Sequence, residues 1–110
     1  MTTFYISGPM DEYPQHNYPA FHKAGEELKN SGGVKILSPA HDMSGNPLQP
    51  PRTEEEYLWQ EHLRQSLQKL VLCDAIHLLK GWETSPNAGL EYRIALTLGM
   101  TTTFQDQGQE

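Results

Sequence analysis

One glutamate stands where an apolar side chain is expected. The segment SPNAGLEYRIALTLG (residues 85–99) predicts a helix that opens at Ser-Pro and ends at a glycine. On a helical wheel its apolar residues gather on one arc, and Glu91 falls near the middle of that arc. A carboxylate that is half-buried among leucine and alanine is paired, protonated or reactive. A glutamate that the helix dipole tolerates near the N-terminal turn, or one paired with a cation, explains the pattern equally well. Because helical side chains lean toward the helix N-terminus, we expect the Glu91 carboxylate to face the edge of the domain where this helix begins.

A tyrosine on the first predicted strand is a candidate partner for this carboxylate. The β-branched and aromatic segment TTFYIS (2–7) predicts a buried strand. A buried phenol needs a hydrogen-bond partner, so Tyr5 could donate to Glu91 and hold it ionised. A core tyrosine bonded to the backbone fits the same pattern equally well.

Two loops carry residues that could contact a small ligand. The first comprises Ser7, Gly8, Pro9 and Met10, and its Gly-Pro step can turn tightly and bring backbone close to a ligand. The second, TSPN (84–87), offers the Ser85 hydroxyl, the Asn87 amide and free N–H groups at a positive helix end, which suits a phosphate. Helix capping alone also explains it.

The remaining polar and aromatic residues give weaker signals. The five histidines (16, 22, 41, 62 and 77) show no zinc-ligand spacing, so we predict no metal site. Trp82 and Trp59 could each stack on a base, or could pack in the core or a lid.

Alternating strands and helices must position these residues. The patterns predict strands at 2–7, 34–38, 74–79 and 101–104, and helices at 17–33, 54–72 and 85–99. This alternation predicts an α/β fold: a flavodoxin-like or Rossmann-like three-layer sandwich with a parallel sheet of about four strands. Ligands bind such sheets beyond the carboxyl ends of the strands, where loops 7–10, 39–53 and 80–87 should converge.

Three details of the helices are also predicted. Asn17 and Thr53 are candidate N-caps of the first and second helices. In the second helix, the apolar stripe comprises Leu63, Leu67, Leu70 and Val71.

Length, charge and cysteine content bound the function. The 110 residues suffice for one small domain, which we place at 1–104 and follow with a polar tail at 105–110. A net charge of −6 argues against a nucleic-acid polymer or an anionic membrane as the main partner. The single cysteine, Cys73, fits a reducing compartment, so we expect a cytoplasmic protein. Oligomerisation would add stability to so small a core.

Three motifs together resemble the nucleoside 2-deoxyribosyltransferase-like superfamily. They are YISGPM (5–10), NYPAF (17–21) and CDAIHLLKGWETSPNAGLEYRIALTLG (73–99). The similarity covers about residues 3–38 and 54–100, and it is greatest to a branch of short phage and bacterial proteins, many without an assigned activity. It implies chemistry on the N-glycosidic bond of 2′-deoxynucleosides or deoxynucleoside 5′-monophosphates, with no cofactor. It also implies a homodimer or a higher homo-oligomer.

The resemblance also implies roles for particular residues. Glu91 corresponds to the nucleophile that attacks the anomeric carbon, and Tyr5 to the tyrosine that orients it. Gly8 corresponds to the glycine of the first loop. Ser85 corresponds to a serine that helps to bind the 5′-phosphate in nucleotide-hydrolysing relatives, and Asn87 replaces a glycine that often follows it.

One departure from the superfamily pattern concerns the second helix. Its members usually carry there an aspartate that engages the sugar or the base, and the corresponding residue in this chain is Ser66, with His62 one turn earlier. The departing base also needs a proton, for which His41, Asp42 and His62 are candidates. A non-catalytic nucleotide sensor or interaction module on the same fold is therefore the alternative, and a purely structural subunit is a third possibility.

Overall fold

Four parallel strands form the sheet at the centre of the computed structural model, which describes residues 2–11, 13–51 and 59–105. The strands are β1 (Thr2–Ser7), β2 (Val34–Leu37), β3 (Ala75–Leu78) and β4 (Thr101–Phe104), in the order β2-β1-β3-β4. All three pairings are parallel, so every strand ends at the same edge of the sheet. The predicted α/β fold class and strand number are confirmed.

Three helices complete the sandwich. They are α1 (Tyr18–Lys29), α2 (Trp59–Leu70) and α3 (Pro86–Thr97). Helix α1 packs on one face of the sheet, where Phe21 and Ala24 meet Ile6 and Ile36. Helices α2 and α3 cover the other face and bury a second apolar cluster around Tyr5 and Ile76. These two cores give the three layers that the alternating pattern predicts.

The central strand β1 distributes its side chains between these two cores. Successive residues of a strand point to opposite faces of the sheet. Ile6 therefore joins the α1 core, and Tyr5 joins the core under α2 and α3. Ser7 shares the face of Tyr5, which directs two hydroxyl groups of one strand toward α3.

Helix α1 differs from its prediction at both ends. The helix begins at Tyr18 and ends at Lys29, so it is shorter than the predicted 17–33. Asn17 occupies the N-cap position in a left-handed conformation (φ 62°) without capping the helix through its side chain. Its Nδ2 instead donates to the carbonyl of Pro9 at 2.8 Å, which ties the start of α1 to the first loop.

Helices α2 and α3 match their predictions to different degrees. The prediction that Val71 belongs to the buried stripe of α2 is wrong: it is 58% exposed because the helix ends at Leu70. The predicted Thr53 cap and residues 54–58 lie outside the described residues. Helix α3 begins as predicted, and Ser85 Oγ accepts a hydrogen bond from the Ala88 N–H at 3.2 Å. The predicted apolar arc of α3 is only partly buried, since Leu90 and Leu98 are exposed.

The loop after β2 is held by buried polar contacts. The Lys69 ammonium of α2 donates to the carbonyls of Ser38 at 3.0 Å and His41 at 2.7 Å. Ser38 Oγ lies 2.6 Å from His41 Nδ1, and both residues are buried. Asp42 accepts from the N–H groups of Ser44 and Asn46, so this part of the long loop has its own internal structure.

The end of β4 continues into Gln105, which we expected to begin the polar tail. Its N–H donates to the Leu78 carbonyl, and its side-chain oxygen accepts from the Lys80 N–H, each at 2.8 Å. Residues 106–110 lie outside the described residues. Among the helices that the structure describes, none has both the length and the apolar character needed to cross a bilayer.

Candidate active site

Glu91 is the centre of a buried hydrogen-bond network. Its carboxylate accepts from the Tyr5 phenol at 2.8 Å on one oxygen and from the Ser7 hydroxyl at 2.6 Å on the other. The side chain is 3% exposed. The expected hydrogen bond between Tyr5 and Glu91 is therefore present, and Ser7 adds a second donor.

The elements around Glu91 explain this geometry. Tyr5 and Ser7 are two residues apart on β1 and so lie on the same face of the sheet. Glu91 lies in the second turn of α3, where helical side chains lean toward the N-terminus. Since β1 ends at Ser7, the network lies at the carboxyl edge of the sheet, where parallel α/β proteins bind ligands.

Burial dominates the electrostatics of this network. It raises the pKa of Glu91 to about 7, and the hydrogen bonds from Ser7 and Tyr5 limit that rise because they favour the ionised form. Burial also raises the pKa of Tyr5 well above its usual value, and the nearby charge of Glu91 adds to this effect. Tyr5 is therefore a neutral donor at physiological pH, while Glu91 exchanges a proton near neutrality.

Ser66 and His62 lie on α2 at different distances from the network. Ser66 is 3% exposed, and its side chain lies near enough to the Tyr5 phenol to lower the pKa of that phenol, against the larger effect of burial. His62 lies one helical turn closer to the start of α2, and its Nε2 lies 3.1 Å from the Tyr18 hydroxyl. Burial lowers the pKa of His62 to about 4, so this imidazole is neutral at physiological pH.

The first loop is closely packed against the residue that follows β3. Gly8, Pro9 and Met10 are all buried. A Cβ on Gly8 would lie 2.8 Å from the Cβ of Leu79, closer than real Cβ contacts. Only glycine therefore lets this loop pass so near Leu79.

A cavity of about 450 Å³ opens between the first loop and the start of α3. Its lining includes the predicted residues Pro9, Met10 and Ser85, together with Asp11, Tyr13, Thr84 and Pro86. Asn87 is half-buried in the first turn of α3, outside this lining. Sequence reasoning missed Asp11 and Tyr13, although their position directly after the Gly-Pro turn could have indicated them.

Trp82 lies in an aromatic cluster. Its ring centroid is 4.8 Å from that of Tyr92 and 6.0 Å from that of Phe104. Trp82 is half-buried there and packs against the core under α3. The sequence left two roles open for Trp82, stacking on a base or packing in the core or a lid, and these contacts correspond to core packing. The side chain of Trp59 lies outside what the structure describes.

The candidate proton donors lie in different surroundings. His41 is buried against Ser38, and burial lowers its pKa to about 4. The Asp42 carboxylate accepts backbone hydrogen bonds of its own loop, which lower its pKa. Both residues therefore have structural contacts in the loop after β2. Across residues 2–11, 13–51 and 59–105, no group of three or more His, Cys, Asp or Glu side chains could hold a metal ion.

Comparison with known proteins identifies a family but no function. A family model described as a domain of unknown function (DUF4406) matches residues 2–104. No curated protein and no solved structure matches the chain.

Proposed function

We propose that this chain, which belongs to the DUF4406 family, cleaves or transfers the N-glycosidic bond of 2′-deoxynucleosides or their 5′-monophosphates. The observation that carries the proposal is the Glu91 carboxylate, buried at the carboxyl edge of the sheet and held by two hydroxyl donors. A cavity of about 450 Å³, whose lining does not include Glu91, opens at the start of the same helix and lies within the usual size range of small-molecule sites. The resemblance to nucleoside 2-deoxyribosyltransferases supports the same assignment.

The reaction would proceed through a covalent intermediate on Glu91. A carboxylate oxygen forms a bond to C1′ while the C1′–N bond breaks, and the departing base takes the bonding electrons and a proton. Water then attacks C1′ to release the sugar, or a second base attacks to give a new nucleoside. In both cases the Glu91 carboxylate is regenerated.

The hydrogen bonds to Glu91 suit a nucleophile. Tyr5 and Ser7 each occupy one lone pair of a carboxylate oxygen, and each oxygen keeps another for attack. The two donors also fix the orientation of the carboxylate before substrate binds. Because the pKa of Glu91 is raised to about 7, its reactive, ionised form becomes more abundant as the pH rises through neutrality.

Release of free base tests the proposal. The protein is incubated with deoxynucleosides and deoxynucleoside 5′-monophosphates, with and without an acceptor base, and the products are separated by chromatography. We expect Glu91→Gln to lower base release by several orders of magnitude, and Glu83→Gln, at an exposed carboxylate, to have no effect. Full activity of Glu91→Gln would refute the assignment.

The burial of this network favours a second candidate, a non-catalytic nucleotide-binding module. Both Glu91 oxygens already have partners, and the residue at the position of the expected aspartate, Ser66, is buried against Tyr5. Thermal stabilisation by a deoxynucleoside or nucleotide without any release of base would identify this function.

The partners in this proposal are a small nucleoside or nucleotide and a second copy of the chain. We expect at least a homodimer, to which exposed leucines such as Leu96 and Leu98 could contribute contacts. Sedimentation analysis of the purified protein tests this expectation.

A further inference from the structure

The cavity between the first loop and α3 has an unusual charge for a phosphate site. Its lining carries one carboxylate, from Asp11, and three hydroxyl groups, from Tyr13, Thr84 and Ser85. None of the described residues that line it is a lysine or an arginine. Proteins normally bind phosphate with cationic side chains or with several free backbone N–H groups. The side chains here offer neither charge compensation nor a bidentate contact.

The start of α3 also offers few free N–H groups. The Ser85 N–H donates to the Trp82 carbonyl, and Pro86 has no N–H. The Ala88 N–H donates to Ser85 Oγ, and the Gly89 N–H donates to the Ser85 carbonyl at 2.9 Å. Helix N-termini bind anions through N–H groups that lack intrahelical partners. The capping of α3 therefore removes much of this capacity.

Tyr13 is held at the wall of the cavity by the segment that follows it. Pro14 favours an extended Tyr13, which has φ −98° and ψ 145°. The next three residues, 15–17, all adopt the left-handed conformation, with φ between 52° and 62°. Such conformations are costly for residues other than glycine and persist only when the surroundings impose them. Here Asn17 anchors the segment through its hydrogen bond to the Pro9 carbonyl.

Gly81 lies opposite the Tyr13 side chain and leaves space for its hydroxyl group. A Cβ on Gly81 would lie 3.3 Å from the Tyr13 hydroxyl oxygen and 3.4 Å from Cγ of Pro9. Gly81 also has φ +90°, which disfavours other residues. Tyr13 is 43% exposed, so its side chain remains accessible from the cavity.

We propose that Tyr13 and Asp11 determine specificity at this cavity by accepting an uncharged, hydroxyl-bearing part of the ligand and disfavouring a phosphate. The inference rests on the proposed function and narrows it: the substrates are 2′-deoxynucleosides rather than their 5′-monophosphates. Tyr13 and Ser85 supply hydroxyl donors and Asp11 an acceptor, which suits a sugar hydroxyl. A phosphate would instead meet the Asp11 carboxylate without a compensating cation.

The test compares a deoxynucleoside with the 5′-monophosphate that carries the same base. We expect kcat/KM of the intact protein to be at least about tenfold lower for the monophosphate. Equal or better use of the monophosphate overturns the inference. If neither compound releases base, the proposed enzymatic function fails, and calorimetric binding then decides the inference. Binding of the nucleoside at least tenfold more tightly supports it; equal binding, tighter monophosphate binding or no binding overturns it.

Two carboxylate variants, one at the cavity and one outside it, locate the effect. Asp11→Asn should reduce the ratio of kcat/KM for the nucleoside to kcat/KM for the monophosphate about three- to tenfold, because it removes the charge that repels the phosphate. Glu83→Gln removes the same charge from an exposed residue outside the lining and should leave the difference unchanged. An equal change in both variants would indicate a long-range effect of net charge and overturn the role of Asp11.

Tyr13→Phe tests the phenol at the same wall. Loss of one hydrogen bond should raise KM for the nucleoside about three- to tenfold and leave kcat unchanged. An unchanged KM would exclude Tyr13 from ligand binding.

Discussion

At the scale of single residues, the protonation of Glu91 depends on two opposing effects. Burial favours the neutral acid, and the hydrogen bonds from Tyr5 and Ser7 favour the carboxylate. The result is a pKa of about 7. Activity that needs the carboxylate should therefore rise as the pH increases through about 7 and level off above it.

Removal of either donor should move this pH profile. Tyr5→Phe and Ser7→Ala each take away a hydrogen bond to the ionised form, so the pKa of Glu91 rises further and the profile shifts to higher pH. We expect kcat/KM at neutral pH to fall about ten- to a hundredfold in each variant, as for loss of a hydrogen bond to a charged group. Base release measured from pH 5 to pH 9 checks both effects.

Tyr92→Phe is the matched control for Tyr5→Phe. Tyr92 packs in the aromatic cluster with Trp82 and Phe104. Its replacement should leave the pH profile of the wild-type protein intact. If Tyr5→Phe lowered activity without moving the profile, its effect would be structural and the positioning role would be lost.

The residue types in the sequence predicted part of this site. A buried phenol and a buried carboxylate on adjacent elements each need a partner, which led to the pair Tyr5 and Glu91. Ser7 was expected to contact ligand, and its bond to Glu91 follows from its position two residues after Tyr5. The left-handed segment 15–17 has only a weak signal: histidine and asparagine adopt this conformation more often than most residues, but three such residues in succession without a glycine depend on contacts distant in sequence.

At the scale of elements, local signals determined which boundaries were predictable. Helix α3 has a capping serine, a proline in its first turn and a glycine after its end, and its bounds match closely. Helix α2 has no such signal at its C-terminus, since the apolar residues Val71 and Leu72 follow Leu70 directly. Its end is set by tertiary structure: the chain must turn there to start β3.

Two glycines provide a paired test of how the elements pack. A Cβ on Gly8 would lie 2.8 Å from the Leu79 Cβ, whereas a Cβ on Gly89 of α3 meets nothing within 4 Å. Gly8→Ala should destabilise the protein by about 1–3 kcal/mol through overpacking. Gly89→Ala should stabilise it by about 0.5–1 kcal/mol through helix propensity. Urea unfolding of both variants measures the difference, and destabilisation by Gly89→Ala would contradict the packing described for α3.

Lys69 attaches α2 to the loop after β2. Its buried ammonium donates to two carbonyls, so Lys69→Met leaves both acceptors without this partner. We expect a loss of about 2–3 kcal/mol in the free energy of unfolding. Lys29→Met is the control, because the half-buried Lys29 makes one longer bond, 3.3 Å, to the Gly45 carbonyl. Equal losses in the two variants would show that burial of the Lys69 ammonium is not important.

At the scale of the whole molecule, buried titratable groups link stability to pH in opposite directions. Burial, with a smaller contribution from nearby basic side chains, lowers the pKa of His41 and of His62 to about 4, below the usual 6.5. The unfolded chain therefore binds these protons first as the pH falls from about 6.5 to 4, and stability decreases. Glu91 has the opposite effect, since its raised pKa makes the folded state bind a proton first between about pH 7 and 4.5.

The lowered pKa values of His41, His62 and His77 outweigh the raised pKa of Glu91, so the wild-type protein should become less stable as the pH falls from 6.5 to about 4. His41→Asn removes a histidine that binds its proton more tightly in the unfolded chain than in the folded one. It should therefore reduce the loss of stability between pH 6.5 and 4 by about 3 kcal/mol. Glu91→Gln removes the carboxyl group that stabilises the folded state as the pH falls. It should therefore increase the loss of stability by a similar amount. Urea unfolding at several pH values between 4 and 7.5 gives the slope of the free energy of unfolding against pH for the wild-type protein and for each variant. Parallel curves for the wild-type protein and His41→Asn would show that His41 is protonated equally in both states, and the assignment of acid sensitivity to the buried loop after β2 would then be wrong.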